Sequence, residues 1–332
     1  MKTRREFFLQ SGLVSAAALL TRTGLVAQQA QAPAPAAGNQ ASPNPAVQPN
    51  PTLPDQLRKA AATETIKTTK LTDTVFLLQG VGGNVVCQTG PDGKLVIDSQ
   101  ISTGTPQLLD ALTKLGPHPL HLLVNTHWHF DHTDGNAALR LQGASIVAHD
   151  NTRIRLSQPQ YMEVYDVHFP PAPDAGLPQQ TFPESNTLWI NNDQASLVHA
   201  PSAHTDSDLF IHFVRGNVIH TGDLWFNGMY PLIDLSSGGS INGMIRGVDQ
   251  VIELADDRTK IVPGHGSLGN KAQLQVYREM LVSVANRVEK LKAEGNSVQQ
   301  AIAAKPTADL DATWAKGPIK PDTFVAIIYN SL

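Results

Sequence analysis

The sequence predicts an α/β fold, a sheet-containing sandwich with helices outside. Three observations predict it. Short β-branched runs joined by glycine turns open the folded part of the chain. Strand and helix patterns then alternate, and several strands end in a tight turn followed by a polar residue. Taken in order, residues 74–79, 84–89 and 94–98 read as strands joined through Gly82-Gly83 and Pro91-Asp92-Gly93. Residues 105–115 have helical spacing (Leu108, Leu109, Leu112, Leu115) and stop at Gly116-Pro117. A buried strand at 121–125 leads into a histidine-rich loop, followed by a helix at 134–142 and a strand at 144–148. Further strands fall at 187–190, 195–199, 208–213 and 217–220, with helices at 240–255 and 271–293 and smaller helical segments after them. Residues 157–185 are proline-rich and weakly patterned, a long loop of the kind that overhangs a site.

Composition narrows the function. The 332 residues, 41% of them apolar, are enough to bury a sizeable core. With 25 Lys+Arg against 29 Asp+Glu the formal charge is −4, which argues against a nucleic-acid binder driven by bulk charge. A single cysteine, Cys87, excludes an internal disulfide framework and a cysteine-rich zinc module. The 12 histidines are the anomaly.

Residues 1–32 read as an export signal: Lys2, Arg4 and Arg5 form a basic head, an apolar run spans 11–20, and small residues follow at Ala27, Ala30 and Ala32. Arg4-Arg5 followed by Phe7-Phe8-Leu9 resembles the twin-arginine pattern and implies engagement of the export machinery. Arg22 interrupts the run too early for a stable membrane anchor. The expected location is therefore periplasmic or secreted. Removing 1–32 takes away four cationic side chains and one acidic one, moving the charge to −7. Residues 33–60, rich in Pro, Ala and Gln, are expected to be a disordered spacer, and 61–332 a catalytic domain.

The chemistry concentrates in Asn125-Thr126-His127-Trp128-His129-Phe130-Asp131-His132. Three histidines and an aspartate within six positions suit a transition metal such as zinc or iron. On an extended loop His127 and His129 project to one side, while Asp131 and His132 face a neighbouring position. One stretch can thus serve two adjacent ions. Zinc takes about four ligands, so the loop alone is incomplete. His204, Asp223 and His265 each follow an apolar strand and a tight turn, where open sheets place their ligand sites.

H-x-H-x-D-H followed by His204, Asp223 and His265 resembles the metallo-β-lactamase superfamily, and Asp98 resembles the family's support for the metal loop. The resemblance covers roughly residues 66–270. It implies an αββα sandwich of two mixed sheets with outer helices and two metals at one edge. By position, His127, His129 and His204 hold the first metal; Asp131, His132 and His265 hold the second; Asp223 bridges them. The implied cofactor is two Zn2+, with iron or manganese as alternatives. The implied reaction is attack of a metal-activated hydroxide on a carbonyl of a small lactam, lactone or ester, with Asp131 orienting the nucleophile and taking its proton.

Subclasses of true β-lactamases carry Cys or Ser where this chain has Asp223, which brings it nearer the superfamily's general hydrolases. A phosphodiesterase or thioesterase of the same fold is one alternative, and an iron-dependent oxidoreductase on the same ligands another. No nucleic-acid partner is expected. Trp128, Phe130, Trp225 and Tyr230 are candidates for an apolar wall beside the metals. His149 and His220 lie near the motifs and read first as ordinary histidines.

Overall fold

A computed structural model describes residues 52–332. The expected signal peptide and most of the expected spacer lie outside the described residues. Helix α1 (Leu53–Ala61) opens the described chain, inside the stretch expected to be spacer through residue 60. Local chemistry explains the earlier start. Thr52 and Asp55 form a reciprocal capping box, Pro54 occupies the first turn, and Arg58 and Lys59 occupy the last. Arg58 then pairs with Asp134 at 3.2 Å, tying the helix to the body.

The first sheet begins with an antiparallel meander, β1 (Lys67–Lys70), β2 (Val75–Gln79), β3 (Val85–Gln88) and β4 (Lys94–Ile97). After helix α2 (Thr105–Lys114), β5 (Leu120–Val124) pairs parallel to β4. Short helices α3 (Phe130–Thr133) and α4 (Asn136–Leu141) lead to β6 (Ser145–His149), and α5 (Asp150–Leu156) follows. The expected long loop is more structured than its composition suggests. It holds a hairpin of β7 (Gln160–Met162) and β8 (Val167–Phe169), then β9 (Gln180–Phe182), which completes a seven-stranded sheet beside β6.

The second sheet runs β10 (Ser185–Ile190), β11 (Asp193–His199), β12 (Leu209–Phe213) and β13 (Val218–His220), all antiparallel. Helix α6 (Ile241–Leu254) crosses over to β14 (Lys260–Val262), parallel to β13. Helices α7 (Lys271–Ala293), α8 (Val298–Ala303), α9 (Asp311–Trp314) and α10 (Pro321–Ser331) close the chain.

The two-residue period of the strands sorts the core into layers. Leu77, Val86, Ile97 and Val124 of the first sheet meet Leu197, Ile211, Val218 and Val262 of the second. The alternate positions Leu78, Cys87, Val96 and Leu123 pack beneath Leu108, Leu112 and Leu139 of α2 and α4. Phe210, Ile219 and Ile261, on the outer face of the second sheet, join the core built with α6, α7 and α10. The layering is helix, sheet, sheet, helix, as expected. Burial pushes the Cys87 thiol up to about 12, so it sits in the core as an inert apolar side chain. No described helix is long and apolar enough to cross a membrane.

Candidate metal centre

Strand ends at the seam of the two sheets bring the expected residues together. The loop after β5 carries His127 and His129, the short helix α3 that follows carries Asp131 and His132, and the β11–β12 turn carries His204. Asp223 follows β13 and His265 follows β14. The ligand atoms of His127, His129, His204 and Asp223 form one cluster, and those of Asp131, His132 and His265 another, each with all members within 4.8 Å. Asp223 touches both. Its Oδ2 lies 3.4 Å from His204 Nε2 and 3.4 Å from His265 Nε2, and its Oδ1 lies 3.1 Å from His132 Nε2. Asp131 Oδ2 lies 3.2 Å from His265 Nε2.

Two glycines make this density possible. A Cβ on Gly264 would stand 1.9 Å from Asp223 Oδ1, and one on Gly83 would stand 2.2 Å from the His132 ring.

The rings of His127, His129, His132 and His204 are each held from behind by an acceptor. His129 Nε2–H donates to Asp234 Oδ2 at 3.0 Å, and His204 Nδ1–H donates to the Leu232 carbonyl at 2.8 Å. His132 Nδ1–H donates to Asp98 Oδ2 at 2.7 Å. Thr126 Oγ1 donates to the same Asp98 oxygen at 2.8 Å and so accepts from His127 Nδ1 at 3.0 Å. Asp98 adopts a left-handed turn (φ 65) at the end of β4, and its other oxygen accepts from Thr126 N–H at 2.7 Å. One buried carboxylate thereby orients two histidines, the support role the sequence implies for it.

These partners place the protons on the outer nitrogens and aim lone pairs inward. His129 Nδ1 and His204 Nε2 consequently face each other at 2.8 Å, and His127 Nε2 is buried with no hydrogen-bond partner. Two lone pairs at that distance repel unless a cation lies between them, and an unpartnered buried nitrogen has the same need. The donor set, imidazole with carboxylate, is one that zinc and iron accept. The residues therefore fit a metal site.

For the three histidines of the first cluster the electrostatics agree. Burial pushes His127, His129 and His204 down towards the neutral form a metal requires. Burial opposes charge on His132, but Asp223, Asp131 and Asp98 outweigh it and raise that ring. His265 is likewise raised to about 9, Asp223 and Asp131 prevailing over burial. The charge on His132 and the His265 contact hold Asp131 at about 2 against its own burial, so it is ionised at neutral pH.

Beside the cluster lies a cavity of about 360 Å3. Of the four aromatic candidates, Phe130 and Tyr230 line it, and two do not. Trp225 is fully buried in the core, against Gly269. Trp128 is turned to an adjoining small cavity behind the metal loop.

Leu53 and Leu57 of α1, from the stretch expected to be spacer, also line the cavity beside the cluster, as do Met162 and Tyr165 of the 157–185 region expected to overhang a site. Asp234 was also missed. Its only sequence signal is the Asp-x-Ser-Ser turn, in which Ser236 and Ser237 hydroxyls donate to its carboxylate. His220 accepts from Gly222 N–H at 2.9 Å, fixing the turn before Asp223. His149 instead stacks on His199, with ring centroids 3.8 Å apart.

A family model described as the metallo-beta-lactamase superfamily matches residues 78–265. Among solved structures, a metallo-beta-lactamase from Pontibacter korlensis aligns with TM-score 0.55 at 19% identity, covering 66% of this chain and 99% of that one. DIM-1 metallo-beta-lactamase aligns with TM-score 0.53 at 18% identity, covering 66% and 97%. The stereoselective inverting sec-alkylsulfatase Pisa1 from Pseudomonas sp. gives TM-score 0.62 at 16% identity, covering 83% of this chain and 52% of that one. The chain thus spans about half the length of the sulfatase. At these identities the likeness is one of fold.

Proposed function

This chain belongs to the metallo-beta-lactamase superfamily, and from that premise we propose that it is an exported, zinc-dependent hydrolase of small carbonyl substrates: lactams, lactones or esters. The observation that carries the reading is the convergence of inward-facing lone pairs, fixed from behind by Asp98, Asp234 and Leu232, at the end of a cavity large enough for a small molecule. His127, His129 and His204 would hold one ion, Asp131, His132 and His265 a second, with Asp223 between them. Two such ions supply Lewis acidity towards a carbonyl oxygen and bring the pKa of water down towards about 7.

The chain supplies the rest. Asp131 is partly open to the cavity, so its carboxylate can accept a hydrogen bond from the attacking water and orient it. Asp98 and Asp234 prevent the histidine rings from turning, which keeps the donor atoms in place through turnover. Phe130, Phe226 and Leu232 form an apolar wall beside the cluster.

The decisive assay uses protein stripped with a chelator and reloaded with zinc, offered a chromogenic cephalosporin, a lactone panel and a phosphodiester. Hydrolysis of a lactam, lactone or ester that vanishes on stripping and returns with zinc is expected. Full activity of the stripped protein would overturn the reading. Metal analysis with an oxygen electrode separates it from an iron oxidase. Export is part of the proposal and rests on the basic head and apolar run of residues 1–32. Replacing Arg4 and Arg5 by Lys is expected to leave precursor in the cytoplasm on fractionation, and unchanged export would contradict twin-arginine transport.

A further inference from the structure

The walls of the cavity carry information that the metal ligands do not. Leu53 and Leu57 of α1 form one side, Met162 and Tyr165 of the 157–185 region a second, and Met229 and Ile319 a third. Apart from two tyrosine phenols, the ionisable groups on its lining are His129, Asp131, Asp223 and His265, all members of the cluster. Among the described residues the lining contains no lysine or arginine. Arg58, which follows Leu57 in α1, pairs with Asp134 at 3.2 Å beside the Phe130 ring, and Arg155 pairs with Asp206 at 2.7 Å. Both open onto the separate small cavity behind the metal loop.

We propose that the cavity takes an uncharged ester or lactone bearing a hydrocarbon arm, the reacting carbonyl at the cluster and the arm against α1 and Ile319. The assignment rests on the hydrolase reading for its reacting group and adds the substrate class. An anionic group on the part of the substrate remote from the cluster would be buried among leucine and methionine side chains without a partner, which is strongly unfavourable. A methylene in the same place gains up to about fourfold in affinity. The thioethers of Met162 and Met229 adapt to arms of differing shape. Helix α1 is a fixed wall. Thr103 Oγ1 donates to the Arg58 carbonyl at 2.5 Å, Gln107 Nε2 donates to the Ala62 carbonyl at 2.7 Å, and Arg58 holds Asp134.

The test has two arms. In the first, zinc-loaded protein is given 4-nitrophenyl acetate, butyrate and hexanoate, together with a hexanoate analogue carrying a terminal carboxylate. From acetate to hexanoate kcat/KM is expected to rise at least tenfold, and the carboxylate analogue to lose at least tenfold against hexanoate. In the second, metal-free protein is titrated calorimetrically with 1-octanol and with octanoate. The alcohol is expected to bind more tightly than the anion, and Leu57→Asp, with its fold checked by circular dichroism, to weaken it at least tenfold. Leu57→Ala, a milder change, should weaken it less. A flat chain-length series together with equal binding of alcohol and anion overturns the cavity assignment while leaving a hydrolase. Selective octanol binding without turnover of any ester supports the apolar cavity and overturns the hydrolase reading instead.

Discussion

The bond from His129 Nε2–H to Asp234 fixes both the tautomer and the rotation of that ring, so Asp234 acts on the metal through a neighbour. Asp234→Ala is expected to lower zinc affinity about 10–100-fold, measured by competition with a chromophoric chelator; unchanged affinity would show that the ring is held by other contacts. His265 offers a test in pH. Its folded value is raised to about 9 by Asp223 and Asp131, against about 6.5 in an unfolded chain. In the metal-free protein the stability this contributes is therefore fully present below about 6.5 and is lost as pH rises through about 9. A metal needs the lone pair, so binding at pH 7 must expel the proton. Zinc added to weakly buffered metal-free protein at pH 7 is expected to acidify the solution, and His265→Ala to release about one proton fewer. Proton-neutral uptake would contradict this assignment. Four of the seven cluster residues were legible because H-x-H-x-D-H has no ordinary structural use, and His204, Asp223 and His265 because each follows an apolar strand and a tight turn in the family's order. Asp234 was not, because an aspartate before serines looks like any turn, and Trp128 and Trp225 misled because an aromatic beside a ligand in sequence need not share its side of the backbone.

Elements were legible in proportion to their length and alternation. Strands such as β2 and β12 show long apolar patterns, and their bounds fall within a residue or two of expectation. β1 is Lys-Thr-Thr-Lys, a polar strand at the edge of the sheet, and β9 and β14 have three residues each, too few to establish a period. Helix α1 was obscured by the proline-rich composition before it, although its capping box is visible in hindsight. The turn after β14 is the element on which the site depends most closely. Gly264 lets that turn pass against Asp223, and its N–H donates to the Gly222 carbonyl at 2.8 Å. Gly264→Ala is expected to push the β13 and β14 turns apart, costing about 1–3 kcal/mol of stability and weakening metal binding with it. Thermal denaturation and zinc titration of the same preparation check both effects, and a variant with wild-type values in each would refute the close approach.

At the scale of the whole molecule, the first sheet's loops supply four of the proposed ligands and the second sheet's loops three. Metal removal should therefore reach well beyond the site. With free zinc at about a thousand times its dissociation constant, binding stabilises the native state by about 4 kcal/mol. For a domain of this size each kcal/mol moves Tm by about 2–4 °C. Chelation is expected to lower Tm by about 8–16 °C in calorimetry, and an unchanged Tm would mean that the seam is held without the ions. The same placement sets an order of events during synthesis. A nascent chain that has emerged only as far as β6 owns the histidine-rich loop but none of the residues that close around it. A first cation must await Asp223 after β13 and a second must await His265 after β14, so metal uptake follows the assembly of both sheets and cannot initiate it.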